Sequence, residues 1–391
     1  MKRFSAQFII TNSGSKLKRG VITTDDDGKI ISVDDTLIDL REEHSVEYHN
    51  GIIVPGFVNC HCHLELSHMK GSIKQGGSLG GFLTQINNTR AAEFDTIISS
   101  AASADNYMYK EGVSLCGDIC NTTNTFDIKK KSKIKYINLI EVFGINPDKA
   151  EERMDEGVKV SVTAERMNLP WSFVPHSTYS MSQTLFRLIR EKSKNNRITS
   201  IHFMESAGEK NFIEKHSGEL METYRKSGFI PPRLEMVKDH TDAILNEVTP
   251  SGNLLLVHNT FADSSTIKAV QKRDNIYWCL CPNSNIYIEN TFPPVDLLKD
   301  EGCEIVIGTD SLASNRKLSI MSELISVQKH FPSLSIEDLV RWATINGARA
   351  LGEEEHFGKI EVGKNPGLLL LQNVDLINMK LLPESFVTRL I

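Results

Sequence analysis

The stretch NCHCHLELSH, Asn59 to His68, places His61 and His63 one residue apart, directly after the apolar run GIIVPGFV. Residues two apart on a strand point to the same side, so both imidazoles can enter one space. A catalytic zinc or iron site takes nitrogen and oxygen ligands and keeps one position open for water. An HxH pair alone is weak evidence. It gains weight because His202, in ITSIHFMES, and Asp310, in EIVIGTDS, also close apolar runs. His61, His63, His202 and Asp310 together supply three neutral nitrogens and one carboxylate, a set for one divalent ion, Zn2+ first and Fe2+ second. A second ion would need a bridging lysine or acid after the fourth run, where VPHST offers His176. One metal is expected.

Water held by such an ion loses a proton near neutrality, and a nearby carboxylate can accept it. Asp310 can serve as ligand and base, with His258 hydrogen-bonding the water or the developing oxyanion. Glu205 lies three residues past His202, so a turn must carry it over the metal. There it can protonate a ring nitrogen while the water oxygen attacks the adjacent carbon. His176 is expected on the substrate, because neutral imidazole is a poor bridge between cations. Rival readings remain: His258 as a core histidine capping a strand, His68 as a loop residue, and CPNSN as a turn in which Asn283 and Asn285 bond their own backbone.

The elements that must position these groups are eight apolar, often β-branched runs separated by helical stretches: VPGFVNCHCH, VSLCGDIC, YINLIEVFG, SFVPHST, ITSIHFMES, NLLLVHNT, IYWCLCPNSN and EIVIGTDS. That alternation predicts an α/β fold, a (β/α)8 TIM-like barrel with its site at the C-terminal strand ends. Five of the 12 histidines then fall on one face, whereas chance would scatter them over loops, as expected for His44, His49, His216 and His356. Asp118 and Glu141 read as structural acids of the barrel mouth. Short strands precede the barrel, with DDDG as a hairpin turn, and GKIEVGKNPGLLLLQNVD gives one or two more after it. Residues 1–55 and 356–391 are therefore expected to form a composite β-sandwich, and residues 56–355 the hydrolase barrel.

The 391 residues carry a net charge of -6, 40% hydrophobic and 24% charged side chains, the balance of an ordinary globular enzyme. The one basic cluster, KKKSKIK from Lys129 to Lys135, reads as a solvated helix end, so no nucleic-acid partner is expected. No run is long enough to span a membrane, and the apolar part of the N-terminus is too short for an export signal. An odd count of seven cysteines suggests buried, reduced thiols and a cytoplasmic location. Cys60 and Cys62 alternate with the histidines and are expected to pack outward together. The partner is a small-molecule substrate, with a homodimer as an admissible assembly.

The motifs together resemble the amidohydrolase superfamily. VPGFVNCHCHLELSHMKG is similar to its first-strand motif, IHFMES to the HxxE of its mononuclear deaminases, and VHNT, CPNSN and GTDSLASN fill the last three strand positions. The match runs from about Gly51 to Gly363. The resemblance implies zinc or iron on the four residues above, Glu205 and His258 as catalytic partners of Asp310, and His176 at the substrate, where Asn283 and Ser311, closing the last two runs, are expected as well. It points to the subgroup of guanine, methylthioadenosine/S-adenosylhomocysteine and aminodeoxyfutalosine deaminases and triazine hydrolases. The implied reaction is hydrolytic deamination of an amino-substituted N-heterocycle, first an adenine nucleoside derivative, by attack of metal-bound hydroxide and release of ammonia. Guanine or a chlorotriazine is the alternative, and a catalytically silent binding barrel a remote one. PHSTYS departs from the PHSPYS of aminodeoxyfutalosine deaminases at Thr178. The loop after His63 lacks a tryptophan that many members place over the ribose, and Gly367 replaces a usual aspartate.

Overall fold

The structure, a computed structural model, describes residues 1–35, 45–249 and 251–391; His44 lies outside them. Eight strands form two four-stranded parallel sheets. The first holds Phe57–Cys62, Val113–Cys120, Lys135–Val142 and Trp171–Pro175, and the second Ile198–Phe203, Asn253–His258, Ile276–Leu280 and Glu304–Ile307. These are the eight runs read from the sequence, in order. Isolated parallel bridges join the sheets at both seams, Ser177 to His202 and Cys62 to Asp310. At the second seam Gly308 is required by close approach: a Cβ there would lie 2.8 Å from His61 Cβ.

Alternation along the strands sorts the apolar residues into two clusters, as period-two patterning dictates. Cys116, Cys120 and Ile140 face helices and pack with Met108 and Phe126. Leu115, Ile119, Leu139, Val174, Leu255, Val257 and Val306 share the other face, closed by Ala348, Ala350 and Leu351. That second cluster is the apolar floor beneath the site.

Cys60 departs from expectation. A shift in pairing register falls between Asn59 and Cys62, so residues three apart reach the same place. Asn59 Nδ2 and Cys62 Sγ lie 3.7 and 3.9 Å from Met108 Sδ. Cys60 instead joins Val58, Cys279 and Cys281 in the floor. Only Cys62 packs outward.

Lys129 is a second correction. It is 4% exposed, and its ammonium sits 2.6 Å from Asp118 Oδ2 and 2.8 Å from Asn138 Oδ1. The basic run does start as a helix end, in the last turn of Phe126–Lys131, but with one lysine turned inward. The rival reading of CPNSN as a turn does not hold: Pro282 opens the helix Pro282–Glu289, the first-turn position that proline favours.

Strands from both chain ends meet in one seven-stranded sheet, ordered Lys380–Arg389, Leu368–Asp375, Glu47–Pro55, Lys2–Ile9, Val21–Thr24, Ile30–Asp34, with Leu17–Lys18 beside Lys2–Ile9. Its core is separate, built on Phe4, Ile9, Ile22, Ile53, Leu368 and Leu370. The DDDG segment is the expected hairpin turn, with Asp25 Oδ1 accepting the Asp27 and Lys29 amides. His49 lies in this sheet and not in a loop. Among the described residues no helix is long and apolar enough to cross a membrane.

Candidate active site

His61 and His63 end the first strand with Nε2 atoms 3.1 Å apart. Asp310 Oδ1 lies 3.7 Å from His61 Nε2 and 3.4 Å from His63 Nε2. Four donors at 2.0–2.2 Å around a tetrahedral ion are separated by about 3.4 Å, so these spacings fit a common ion. His61, His63 and Asp310 form one group able to hold a metal, and His61 shares a second with His202 and His258.

Hydrogen bonds decide which nitrogens are free. His202 Nδ1 lies 2.6 Å from the His176 carbonyl, which can only accept, so the Nε2 of neutral His202 keeps its lone pair for the site. His258 is engaged at both ends: Nδ1 is 2.8 Å from Asn285 Oδ1 and Nε2 is 3.2 Å from Glu205 Oε2. It therefore stands beside the donor set rather than in it. A further group, Glu141, His176 and His202, brings Glu141 Oε1 to 3.8 Å from the His202 Nδ1 already given to a carbonyl. That nitrogen has no lone pair for a second ion.

The protonation states suit ligation. Burial, reinforced by the neighbouring imidazoles, holds His61 well below the usual histidine range, and burial lowers His63 to about 3. His202 is lowered by burial and then by His176. Burial alone would raise Asp310, but His63, His258 and the hydroxyls of Ser284 and Ser314 bring it down to about 2. Both hydroxyls donate to Asp310 Oδ2 at 2.6 Å, which turns Oδ1 toward the histidines. His61 Nδ1, by contrast, is buried with no hydrogen-bond partner among the described residues.

Three strand ends carry non-glycine residues in the left-handed region: Met204 (φ 48), His258 (φ 78) and Asp310 (φ 58). Such strain costs of order 1–3 kcal/mol per residue and gathers at functional sites. Met204 is the turn that Glu205 requires. Glu205 Oε1 accepts the Tyr179 hydroxyl, and its amide donates to Glu209 Oε2 at 3.0 Å. Glu209 in turn accepts the Thr178 hydroxyl and faces His240, so Thr178 ties PHSTYS to the segment behind Glu205. Burial, with Glu209 and Asp310 adding to it, raises Glu205 to about 8. Its carboxyl holds a proton at neutral pH.

These groups open into a cavity of ≈ 420 Å³, within the range of small-molecule sites. His63, His202, Glu205, His258, Asp310, His176 and Ser311 all line it. His176 Nδ1 is 2.8 Å from Ser180 Oγ, and burial lowers this imidazole to about 4. Asn283 is absent from the lining: its Oδ1 accepts from Ser326 and its Nδ2 reaches Ser322, because the helix turns it toward Ile320–His330. Asn285, two residues on, reaches His258 instead. Glu141 lines the cavity and Asp118 does not. Tyr179, Asn285, Ser284, Ser314 and Glu209 were not singled out from the sequence for the site. Tyr179 falls within PHSTYS, Ser284 and Asn285 within CPNSN and Ser314 within GTDSLASN, whereas no motif contains Glu209.

The amidohydrolase family model matches residues 52–387. The chain belongs to the amidohydrolase family. It is 25% identical over 354 residues to an adenosine deaminase of Helicobacter pylori, covering 88% of this chain and 85% of the relative. An aminodeoxyfutalosine deaminase of Nitratiruptor sp. is 27% identical over 368 residues, with the same coverage, 88% and 85%. Among solved structures, aminofutalosine deaminase of Helicobacter pylori in complex with methylthio-coformycin matches at a TM-score of 0.78 and 21% identity over 100% of both chains. That last likeness is one of fold.

Proposed function

We propose that this amidohydrolase is a metal-dependent aminohydrolase that releases ammonia from an amino-substituted N-heterocycle, first an adenine nucleoside derivative. The observation that carries this reading is the meeting of a four-donor set, three of whose members line one cavity, with the buried carboxyl of Glu205, which lines it too and lies 3.2 Å from His258 Nε2. His61, His63, His202 and Asp310 would hold one divalent ion, zinc by the preference of three imidazoles and one carboxylate. Bound there, the ion would supply Lewis-acid activation of water.

The chain's own groups do the rest. Asp310, oriented by Ser284 and Ser314 on Oδ2, accepts on the second lone pair of Oδ1 the proton that water gives up. Glu205 Oε2 donates its proton to a ring nitrogen of the substrate, and Tyr179 fixes the carboxyl's rotation through Oε1. His258, aimed by Asn285, hydrogen-bonds the oxygen arriving at the attacked carbon. A carbon–oxygen bond forms and the carbon–nitrogen bond breaks; the amine leaves as ammonia with the proton taken up by Asp310, and the proton of the new hydroxyl returns to Glu205, leaving a ring carbonyl beside the protonated nitrogen. His176 and Ser311 meet the substrate from the wall, whose apolar part includes Leu79, Phe82 and Phe143.

The bridges at both seams support a single closed (β/α)8 barrel over residues 56–355. The separate terminal core supports a composite β-sandwich domain from residues 1–55 and 356–391. Seven free cysteines fit a reducing, cytoplasmic setting. The deciding experiment incubates zinc-loaded protein with adenosine, 5'-deoxyadenosine, methylthioadenosine, guanine and a chlorotriazine, assaying ammonia and chloride. Ammonia from an adenine nucleoside is expected; chloride release alone, or no turnover of any heterocycle, would overturn the assignment.

A further inference from the structure

The Lys129–Asp118 pair touches neither the cavity nor any group used in the mechanism, and both side chains are 0% exposed. Burying two charges is expensive, and a well-packed apolar pair of similar volume is often as stable. Stability alone is thus a weak reason for its presence. Asp118 also belongs to a buried group with Cys62 and Cys116 that could hold a metal. The ammonium 2.6 Å from Asp118 Oδ2 already supplies the cation there.

What the pair does touch is the chain at His63. Asp118 Oδ1 accepts the Leu64 amide at 2.8 Å, and Leu64 directly follows His63 and opens the short helix Leu64–Met69. His63 has φ -125 and ψ 79, between strand and helix, where no regular hydrogen-bond ladder fixes the direction of its side chain. The ammonium, bound also to Asn138 and set 5.5 and 5.7 Å from the Phe126 and Tyr136 rings, locks the carboxylate's rotation. Asn138 Nδ2 is itself held on the Pro170 carbonyl at 3.0 Å. Two adjacent strands and the helix between them thus converge on one backbone amide.

The geometry points to Lys129 and Asp118 as positioning residues that pre-set His63 for metal capture; this rests on the metal assignment made above. The partners of metal ligands commonly govern affinity without touching the ion. Two double variants remove the buried charges together. Asp118→Asn/Lys129→Met keeps an acceptor for the Leu64 amide, whereas Asp118→Leu/Lys129→Met removes it. Zinc affinity, measured by competition with a chromogenic chelator on preparations matched for circular dichroism, should stay within about threefold of wild type in the first and fall about tenfold or more in the second.

Equal affinities in the two variants, whether both retained or both lost, would overturn the proposal. Hydrogen exchange of the Leu64 amide in metal-free wild-type protein gives a readout independent of variant folding. Protection is expected, and free exchange would also overturn it. A wild-type protein that binds no zinc would instead sink the metal assignment itself, so the two failures are distinguishable.

Discussion

The same strands are built on opposite principles at their two ends. Below the site, Val58, Leu115, Leu139, Leu255 and Val257 form an apolar floor, where packing is non-directional and strand alternation suffices. At the carboxyl ends the neighbouring positions carry His61, His63, His202, His258 and Asp310, all buried, with left-handed backbone at His258 and Asp310. Directional contacts hold that end: two hydroxyls on Asp310, a carbonyl on His202, an amide on His258. The contrast teaches that floor and site should fail separately, the first through stability and the second through chemistry.

The largest break should come from His63→Ala. Loss of one of four ligands should abolish tight zinc binding and lower kcat/KM by about 10³-fold or more, a transition-state loss of roughly 4 kcal/mol. Metal analysis and kinetics on the same preparation test it. A variant with full metal content would take His63 out of the donor set.

Glu205→Gln should keep zinc and fold, yet cut kcat by about 10²–10⁴-fold, the usual worth of a positioned proton donor. Glu205 is raised to about 8 by burial, and it must be protonated to donate. Turnover should therefore fall as pH rises through a value at or below about 8, since a bound cation lowers it. Normal turnover in the glutamine variant would reduce Glu205 to a structural residue.

Leu255→Ala changes the same strand as His258, three residues before it and within the floor. It should cost about 2–5 kcal/mol of stability by opening a cavity, visible as a lower denaturation midpoint, while the folded fraction keeps its zinc and most of its kcat. Loss of metal without loss of stability would erase the contrast between the two ends.

The smallest effect is expected for His176→Ala. The ring lines the cavity, but what holds His202 is the backbone carbonyl of His176, which alanine retains. KM should rise about tenfold, a lost hydrogen bond's worth, with zinc content unchanged.

Much of this contrast was legible in the sequence. HxH, HxxE and GTDS each close an apolar run, and strand periodicity sends those ends to one place. What escaped reading depended on contacts distant in sequence or on one-residue changes of direction. Lys129 reads as a solvated charge until Asp118 and Asn138, from two other strands, surround it. Cys60 and Cys62 look equivalent until the pairing register shifts between Asn59 and Cys62. Asn283 and Asn285 exchange places because CPNSN is a helix, where residues two apart face different ways.

The unprotonated imidazoles also set an acid limit for the molecule. A histidine near 6.5 when unfolded and lowered on burial leaves the unfolded chain holding the extra proton between those two values. The stability contribution is present above about 6.5 and is lost as pH falls toward the folded value, about 3 for His63. His63 alone contributes a slope of up to about 1.4 kcal/mol per pH unit within that window, and His61 and His202, also lowered by burial, act in the same direction. Protons compete with the ion for the same lone pairs, so mild acid should empty the site and loosen the fold in one step. Storage or assay near pH 5 would select for unfolded, metal-stripped chains, while the alkaline side should cost activity without costing the protein.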